Sequence, residues 1–364
     1  MPPEITKSVS DEEYQTYALQ GVSRTFALTI PQLPETLSLV VGNAYLLCRI
    51  ADTIEDEPAL NAEQKRRFSQ QFVRVVAGKD TASEFATALY PLLSHQTLEA
   101  ERDLIQNTPK VIRLTHRFTP NQRAAMERCV TIMASGMSWF QATKNPYGLK
   151  DLPHMDSYCY YVAGVVGEML TEFYCEYSDE IRKNRERMME LAVSFGQGLQ
   201  MTNILKDIWD DRDRAACWLP QDVFRKHGFD LGQLSPENYD PQFGSALREL
   251  VGVAHAHLQN ALAYTLMIPS QEKGIREFCF WALGMALLTL QKIYRHPDFN
   301  SRNQVKITRR AVKTVVLASR FAVNHDKVAR VLFKFGALGL PYVEQNIGGR
   351  LPRFHADLLD QDHH

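Results

Sequence analysis

Apolar residues recur at i, i+3, i+4 and i+7 along most of this chain, the spacing that lines one face of an α-helix. The pattern predicts helices over 36–57, 62–76, 82–93, 97–106, 121–143, 154–177, 184–212, 245–267, 271–296 and 304–335. Proline stands at many of the intervening breaks, among them Pro58, Pro120, Pro153, Pro220, Pro241 and Pro297. Alternating β-branched runs closed by Asn-Gly or Asp-Gly are missing, so the expected fold class is all-α. Neither a shift in composition nor a fixed-period repeat marks a linker. The expectation is one all-α domain over 1–364, with its core at about 15–335 and polar tails. Segments 154–177 and 271–296 are apolar nearly all round, which suits the centre of a helical bundle.

Two of these helices break the apolar rule in the same way. From Tyr45, helical spacing brings Arg49, Asp52 and Asp56 to one face; from Gln200 it brings Asn203, Asp207 and Asp211. Each stripe ends in two carboxylates one turn apart on an otherwise apolar helix. Like charges at i,i+4 cost about 0.2–0.5 kcal/mol in water, and burial raises that cost unless a counter-charge is supplied. A solvated acidic helix end would suit Glu55 and Glu57 taken alone. Two such stripes together point instead to a negative cleft that needs a hard divalent cation. All-oxygen donors select Mg²⁺ over zinc, and Mg²⁺ leaves positions for water and substrate phosphates. Arg49, Lys206 and the early Ser23-Arg24-Thr25 segment can grip a diphosphate from the cationic and hydroxyl side.

Composition removes other classes. The formal charge of −1 over 364 residues gives no global field for nucleic acid. None of the six Cys forms a CxxC pair, and the 11 His show no HExxH, so reduced core thiols are expected rather than disulfides or zinc. There is no nucleotide-binding glycine loop of either common kind. The N-terminal "MPPEITKSVSDEEY" is polar and acidic, unlike a signal peptide. No uninterrupted apolar run reaches membrane-spanning length, and the late "VLFKFGALGLP" is broken by Lys334 and Pro341. A cytoplasmic, soluble protein is expected, with a peripheral membrane contact left open.

The motifs "SRTF", "DTIED", "YCYYVAGVVGE" and "LQMTNILKDIWDD", in this order, resemble the squalene/phytoene synthase family of head-to-head prenyl synthases. The resemblance spans about 15–335. It implies an isoprenoid-synthase helical bundle with a central cavity, two prenyl diphosphates as substrates, and Mg²⁺ bridging diphosphate to aspartates. Asp52 and Asp56 match the first aspartate-rich motif, and Asp207 and Asp211 the second. Gln200 and Asn203 match the polar approach to the second motif. Ser23, Arg24, Tyr45, Arg49 and Lys206 match diphosphate-site positions. Tyr158 matches a tyrosine placed near the reacting carbons, where a phenol can face a cation or pass a proton; Tyr160 and Tyr161 suit packing.

The segment "VKITRR" resembles the squalene-synthase pattern, which implies that Lys306 and Arg309 serve NADPH and diphosphate. Three apart, they share a face if the segment is helical. The chain departs from the family at three points. Tyr160 stands where squalene synthases commonly have His, Lys206 replaces the usual Arg, and "DDRDRAACWLP" lacks the Gly-Arg pair many relatives show before the aromatic-Leu-Pro. The C-terminal anchor of eukaryotic squalene synthases is also missing, so the pattern is most like a bacterial form. The expected activity is squalene synthesis from two farnesyl diphosphates through presqualene diphosphate, with NADPH reduction. The alternatives are dehydrosqualene or phytoene synthesis without the reduction, a single-substrate terpene cyclase, and a non-catalytic helical relative that binds partners. Monomer and dimer both fit, and product release is where membrane contact is expected.

Overall fold

The structure is a computed structural model that describes residues 10–23 and 25–341. Helices dominate; among the described residues the only β-type pairing is one bridge, Leu149 with Pro220. The chain divides into two compact units. One holds the residues up to Ala142 with Glu172–Tyr177, the other Thr143–Thr171 with Ser178 onward.

In the first unit the Glu35–Asp56 helix is the central element, with Leu46, Leu47, Ile50 and Ile54 fully buried. It has the length and apolarity to cross a membrane, but 72% of its most apolar window is buried in the protein, as a core helix should be. Asn43, in its middle, donates to Val111 O at 3.0 Å and accepts from Thr115 Oγ1 at 2.7 Å. A buried amide is thereby satisfied and the Thr108–Thr115 helix is fixed in register. That helix escaped the periodicity because Pro109 reads as a breaker; here it occupies the first turn, where no N–H is needed. Also unforeseen was Asp11–Val22, inside the polar N-terminal stretch. Its signal is a capping box: Glu13 N donates to Ser10 Oγ at 3.2 Å and Ser10 N to Glu13 Oε2 at 2.9 Å.

In the second unit the Arg185–Lys206 helix packs against Pro241–Met267 and Lys273–Arg295. His257 Nδ1 and Ser194 Oγ lie 2.7 Å apart, and Asn260 Nδ2 donates to Ser194 Oγ at 2.8 Å. On its other side the backbones nearly touch. A Cβ on Gly167 would sit 2.3 Å from Ala192 O, and one on Gly196 2.3 Å from Ala163 O. Only glycine permits that approach.

Three predicted helices are interrupted. The 154–177 segment is Leu152–Cys159, a wide π turn over Tyr160–Gly164, and Val165–Tyr177. The wide turn falls at the glycine contact, where the backbone follows its neighbour and not the ideal period. The 184–212 segment breaks at Asp207, with φ −102° and ψ 15°, between Arg185–Lys206 and Ile208–Asp213. The 304–335 segment is Arg302–Val305, Arg309–Ala322 and Asp326–Gly336, divided at extended Lys306 and extended His325. Thr308 restarts the second piece, its Oγ1 accepting from Ala311 N at 3.1 Å. The six cysteines are buried, and none is joined in a disulfide.

Candidate functional site

The first acidic stripe is assembled as the helical period requires. Arg49 Nη2 donates to Tyr45 Oη at 3.2 Å, and Arg49 Nη1 lies 3.9 Å from Asp52 Oδ2 and 3.6 Å from Glu101 Oε1. Burial works against the Arg49 charge, yet Asp52, Tyr45 and Glu101 together hold its pKa above the ordinary arginine value. Asp52 keeps 30% of its side chain exposed. Burial nevertheless pushes its carboxyl up to about 6, with Arg49 opposing and Asp56 and Glu101 adding to the rise. Asp56, one turn on, is exposed at the helix end. Tyr45 Oη donates to Val22 O at 3.4 Å, and the Tyr45 ring packs on Phe26 with centroids 5.0 Å apart. Ser23 Oγ accepts from Phe26 N at 2.9 Å and so caps the turn that follows it. Thr25 is exposed, and Arg24 lies outside the described residues.

Glu55 and Glu57 are both buried, contrary to a solvated helix end. Glu55 accepts from Gln141 Nε2 at 2.8 Å. Burial, then the charge of Asp56, pushes its carboxyl up to about 8. Glu57 goes the other way. Burial would raise it, but hydrogen bonds from Thr97 Oγ1 and, at 2.9 Å, from Ala59 N hold it low.

The second stripe sits on the break at Asp207. The backbone stays hydrogen-bonded through it, from Asp207 N to Asn203 O at 2.8 Å and from Asp211 N to Asp207 O at 2.9 Å. Lys206 Nζ donates to Asn203 Oδ1 at 3.0 Å and lies 3.3 Å from Asp207 Oδ2. Arg302, which the sequence reading passed over, brings Nε to 3.0 Å from Asp207 Oδ1 and Nη1 to 3.4 Å from Asp210 Oδ2. Burial raises the Asp207 pKa despite both cations, and burial lowers that of Lys206. Gln200, half-buried, is on the same helix.

Past Asp211 the chain turns through a helix-ending motif. Ala215 N donates to Arg212 O at 2.9 Å and Ala216 N to Asp211 O at 3.0 Å, with Ala215 at φ 54°. That left-handed position favours glycine. The turn delivers Trp218, whose ring stacks on Tyr158 with centroids 4.2 Å apart and planes within 7°. Tyr158 is buried on Leu152–Cys159, a helix started by Asp151, whose Oδ1 accepts from His154 N at 2.9 Å. Gln197 Nε2 donates to Asp156 O at 3.1 Å and ties this helix to Arg185–Lys206. Trp218 was legible as the aromatic of the aromatic-Leu-Pro; Arg302, some ninety residues from its partners in sequence, carries no such mark.

Lys306 and Arg309 do not share a helix face. Lys306 closes one short helix in extended conformation and Arg309 opens the next. Both are exposed, and Lys306 O accepts from Lys292 Nζ at 2.6 Å.

No three His, Cys, Asp or Glu side chains converge on one point among the described residues, so protein atoms alone do not build a metal cage. The donors nonetheless suit Mg²⁺. They are carboxylate pairs, and Asp52 and Asp207 are both destabilised as anions by burial. Mg²⁺ habitually takes one or two carboxylates and completes its shell with water and phosphate.

A family model described as squalene/phytoene synthase matches residues 19–311. Squalene synthase clz20 of Cochliobolus lunatus is 29% identical over 318 residues, 86% of this chain and 72% of that protein. Squalene synthase ERG9 of Gibberella zeae is 28% identical over 295 residues, 80% of this chain and 60% of that protein. The chain thus spans 60% to 72% of the length of these relatives. A solved structure of TcSQS with the ligand BPH1237 has a TM-score of 0.73 at 24% identity, covering 90% of each chain, a likeness of fold.

Proposed function

Because the chain belongs to the squalene/phytoene synthase family, we propose that it is a squalene synthase. Two farnesyl diphosphates give presqualene diphosphate, diphosphate and a proton; NADPH then reduces presqualene diphosphate to squalene with loss of the second diphosphate. Bound Mg²⁺ supplies the Lewis acidity that draws charge off a departing diphosphate. The Asp52–Asp56 pair, and likewise the Asp207–Asp211 pair, would supply oxygen ligands to such an ion.

Arg49 and Lys206 donate charge-assisted hydrogen bonds to phosphate oxygens. Ser23, Arg24, Thr25, Gln200 and Asn203 complete that grip. The Tyr158 hydroxyl relays the proton lost as the cyclopropane closes, accepting it as its own proton passes to the released diphosphate, with its ring held by Trp218. Lys306 and Arg309, on either side of the break between two helices, hold the NADPH phosphates by side chain, since no glycine loop is available. Apolar helix faces keep water from trapping the allylic cation as an alcohol.

The observation that carries this reading is the half-buried Tyr45–Arg49–Asp52 stripe on a core helix of a member of this family. The test is turnover of farnesyl diphosphate with Mg²⁺ by Asp52→Asn and Asp207→Asn. Each should abolish product while the melting temperature holds or rises slightly, because burial disfavours the charge that is removed. Near wild-type turnover by either variant contradicts the metal assignment.

A further inference from the structure

The helices Arg309–Ala322 and Asp326–Gly336 carry more apolar surface than the core takes up. On the second, Phe333 and Ala329 face inward, Phe333 stacking on His255 with centroids 5.9 Å apart. An ordinary surface helix would be polar elsewhere. Here Val328, Val331, Leu332 and Phe335 form a second stripe at i, i+3, i+4 and i+7, and it points outward. Val331 is 64% exposed and Phe335 77%. Leu338, just past the helix, is 71% exposed. The preceding helix adds Leu317 and Phe321, one turn apart, with Phe321 66% exposed.

Cations border this apolar surface. Lys327, Arg330 and Lys334 occupy the helix face beside the outward stripe, as i, i+3 and i+7. From Lys306 to Pro341 there are eight Lys or Arg against one acid, Asp326. That acid is engaged by Arg276 at 2.8 Å. Exposed aromatic and aliphatic side chains rimmed by Lys and Arg are the chemistry of a helix lying in a bilayer interface. A second copy docked on the same face would bring like charge against like.

We propose that this two-helix face docks on an anionic lipid membrane, with Phe321, Val331 and Phe335 entering the acyl boundary and the flanking cations meeting phosphate headgroups. A protein seated this way would hand a hydrocarbon product directly to lipid. The assay below contains no substrate, so it holds or fails independently of the squalene synthase reading.

The full chain is floated with vesicles of phosphatidylcholine containing about one quarter phosphatidylglycerol, and with phosphatidylcholine alone. Lys and Arg near the surface are attracted to anionic headgroups, so the anionic vesicles should capture at least about tenfold more protein, and high salt should reduce the difference. Val331→Glu with Phe335→Glu should release the protein from both vesicles without changing its melting temperature, since both side chains are exposed. Arg330→Gln with Lys334→Gln should weaken only the anionic preference. If neither vesicle captures the chain, or if the double glutamate variant binds as well as wild type, the proposal is overturned. A face then belongs to a second copy, seen as a dimer by light scattering, or to the chain's own residues after Pro341.

Discussion

Arg302 Nε stands 3.0 Å from Asp207 Oδ1, so the second carboxylate stripe already has a counter-ion from its own chain. The pair is half exposed and contributes little net stability. Its consequence is competition, because a cation that approaches Asp207 must displace a guanidinium. Arg302→Gln should therefore lower the melting temperature without Mg²⁺ by about 1–2 °C and enlarge the rise on adding Mg²⁺. Thermal unfolding with and without the metal checks this. An unchanged Mg²⁺ response would mean that Arg302 does not compete for Asp207.

Tyr158→Phe keeps the ring on Trp218 and removes only the hydroxyl. The first half-reaction should slow by about 10²–10⁴-fold, while reduction of supplied presqualene diphosphate suffers less. Trp218→Leu should slow the first half-reaction as well, with Trp218→Phe restoring most of it. Equal slowing of both halves by Tyr158→Phe would assign the residue to packing.

Ala215 holds a left-handed backbone at φ 54°. A non-glycine residue there costs on the order of 1 kcal/mol. Ala215→Gly relieves it but loosens the unfolded chain, so a gain of up to about 1 kcal/mol is expected by urea unfolding. A loss of stability would show that the turn is unstrained.

Glu55 makes the fold pH-sensitive. Its folded pKa, about 8, stands above the ordinary 4.5. The native state therefore binds the proton more tightly than the unfolded chain does. The stability from that proton is fully present below about pH 4.5 and is lost as pH rises through about 8. Asp52, raised from 3.8 to about 6, acts in the same direction over a lower window. Glu55→Gln should flatten the fall in melting temperature between pH 6 and 9. An equal fall in wild type and variant would rule Glu55 out as its source.

The acidic stripes were legible because helical period alone aligns Tyr45 with Arg49, Asp52 and Asp56. Most long helices were legible for the same reason. Interruptions at Asp207 and Tyr160–Gly164 were not, since the apolar period runs straight through both; at Tyr160–Gly164 the close backbone approach at Gly167 and Gly196 reshapes the turn. Short polar helices such as Asp11–Val22 carry their signal in caps, which periodicity does not weigh. Burial of Glu55 and Glu57 depends on Gln141 and Thr97, far away in sequence. Lys306 and Arg309 were aligned on the assumption of one helix, and the Thr308 cap divides it.

The most direct measurement uses NADPH deuterated at C4 of the nicotinamide. Wild-type protein is incubated with farnesyl diphosphate, Mg²⁺ and the labelled cofactor, and the lipids are read by mass spectrometry. The account predicts squalene carrying a single deuterium, and presqualene diphosphate or leaked dehydrosqualene when NADPH is left out. Lys306→Ala and Arg309→Ala should raise the apparent KM for NADPH and leave the Mg²⁺ dependence unchanged. Unlabelled dehydrosqualene, formed at the same rate and yield with or without NADPH, would contradict the squalene synthase reading.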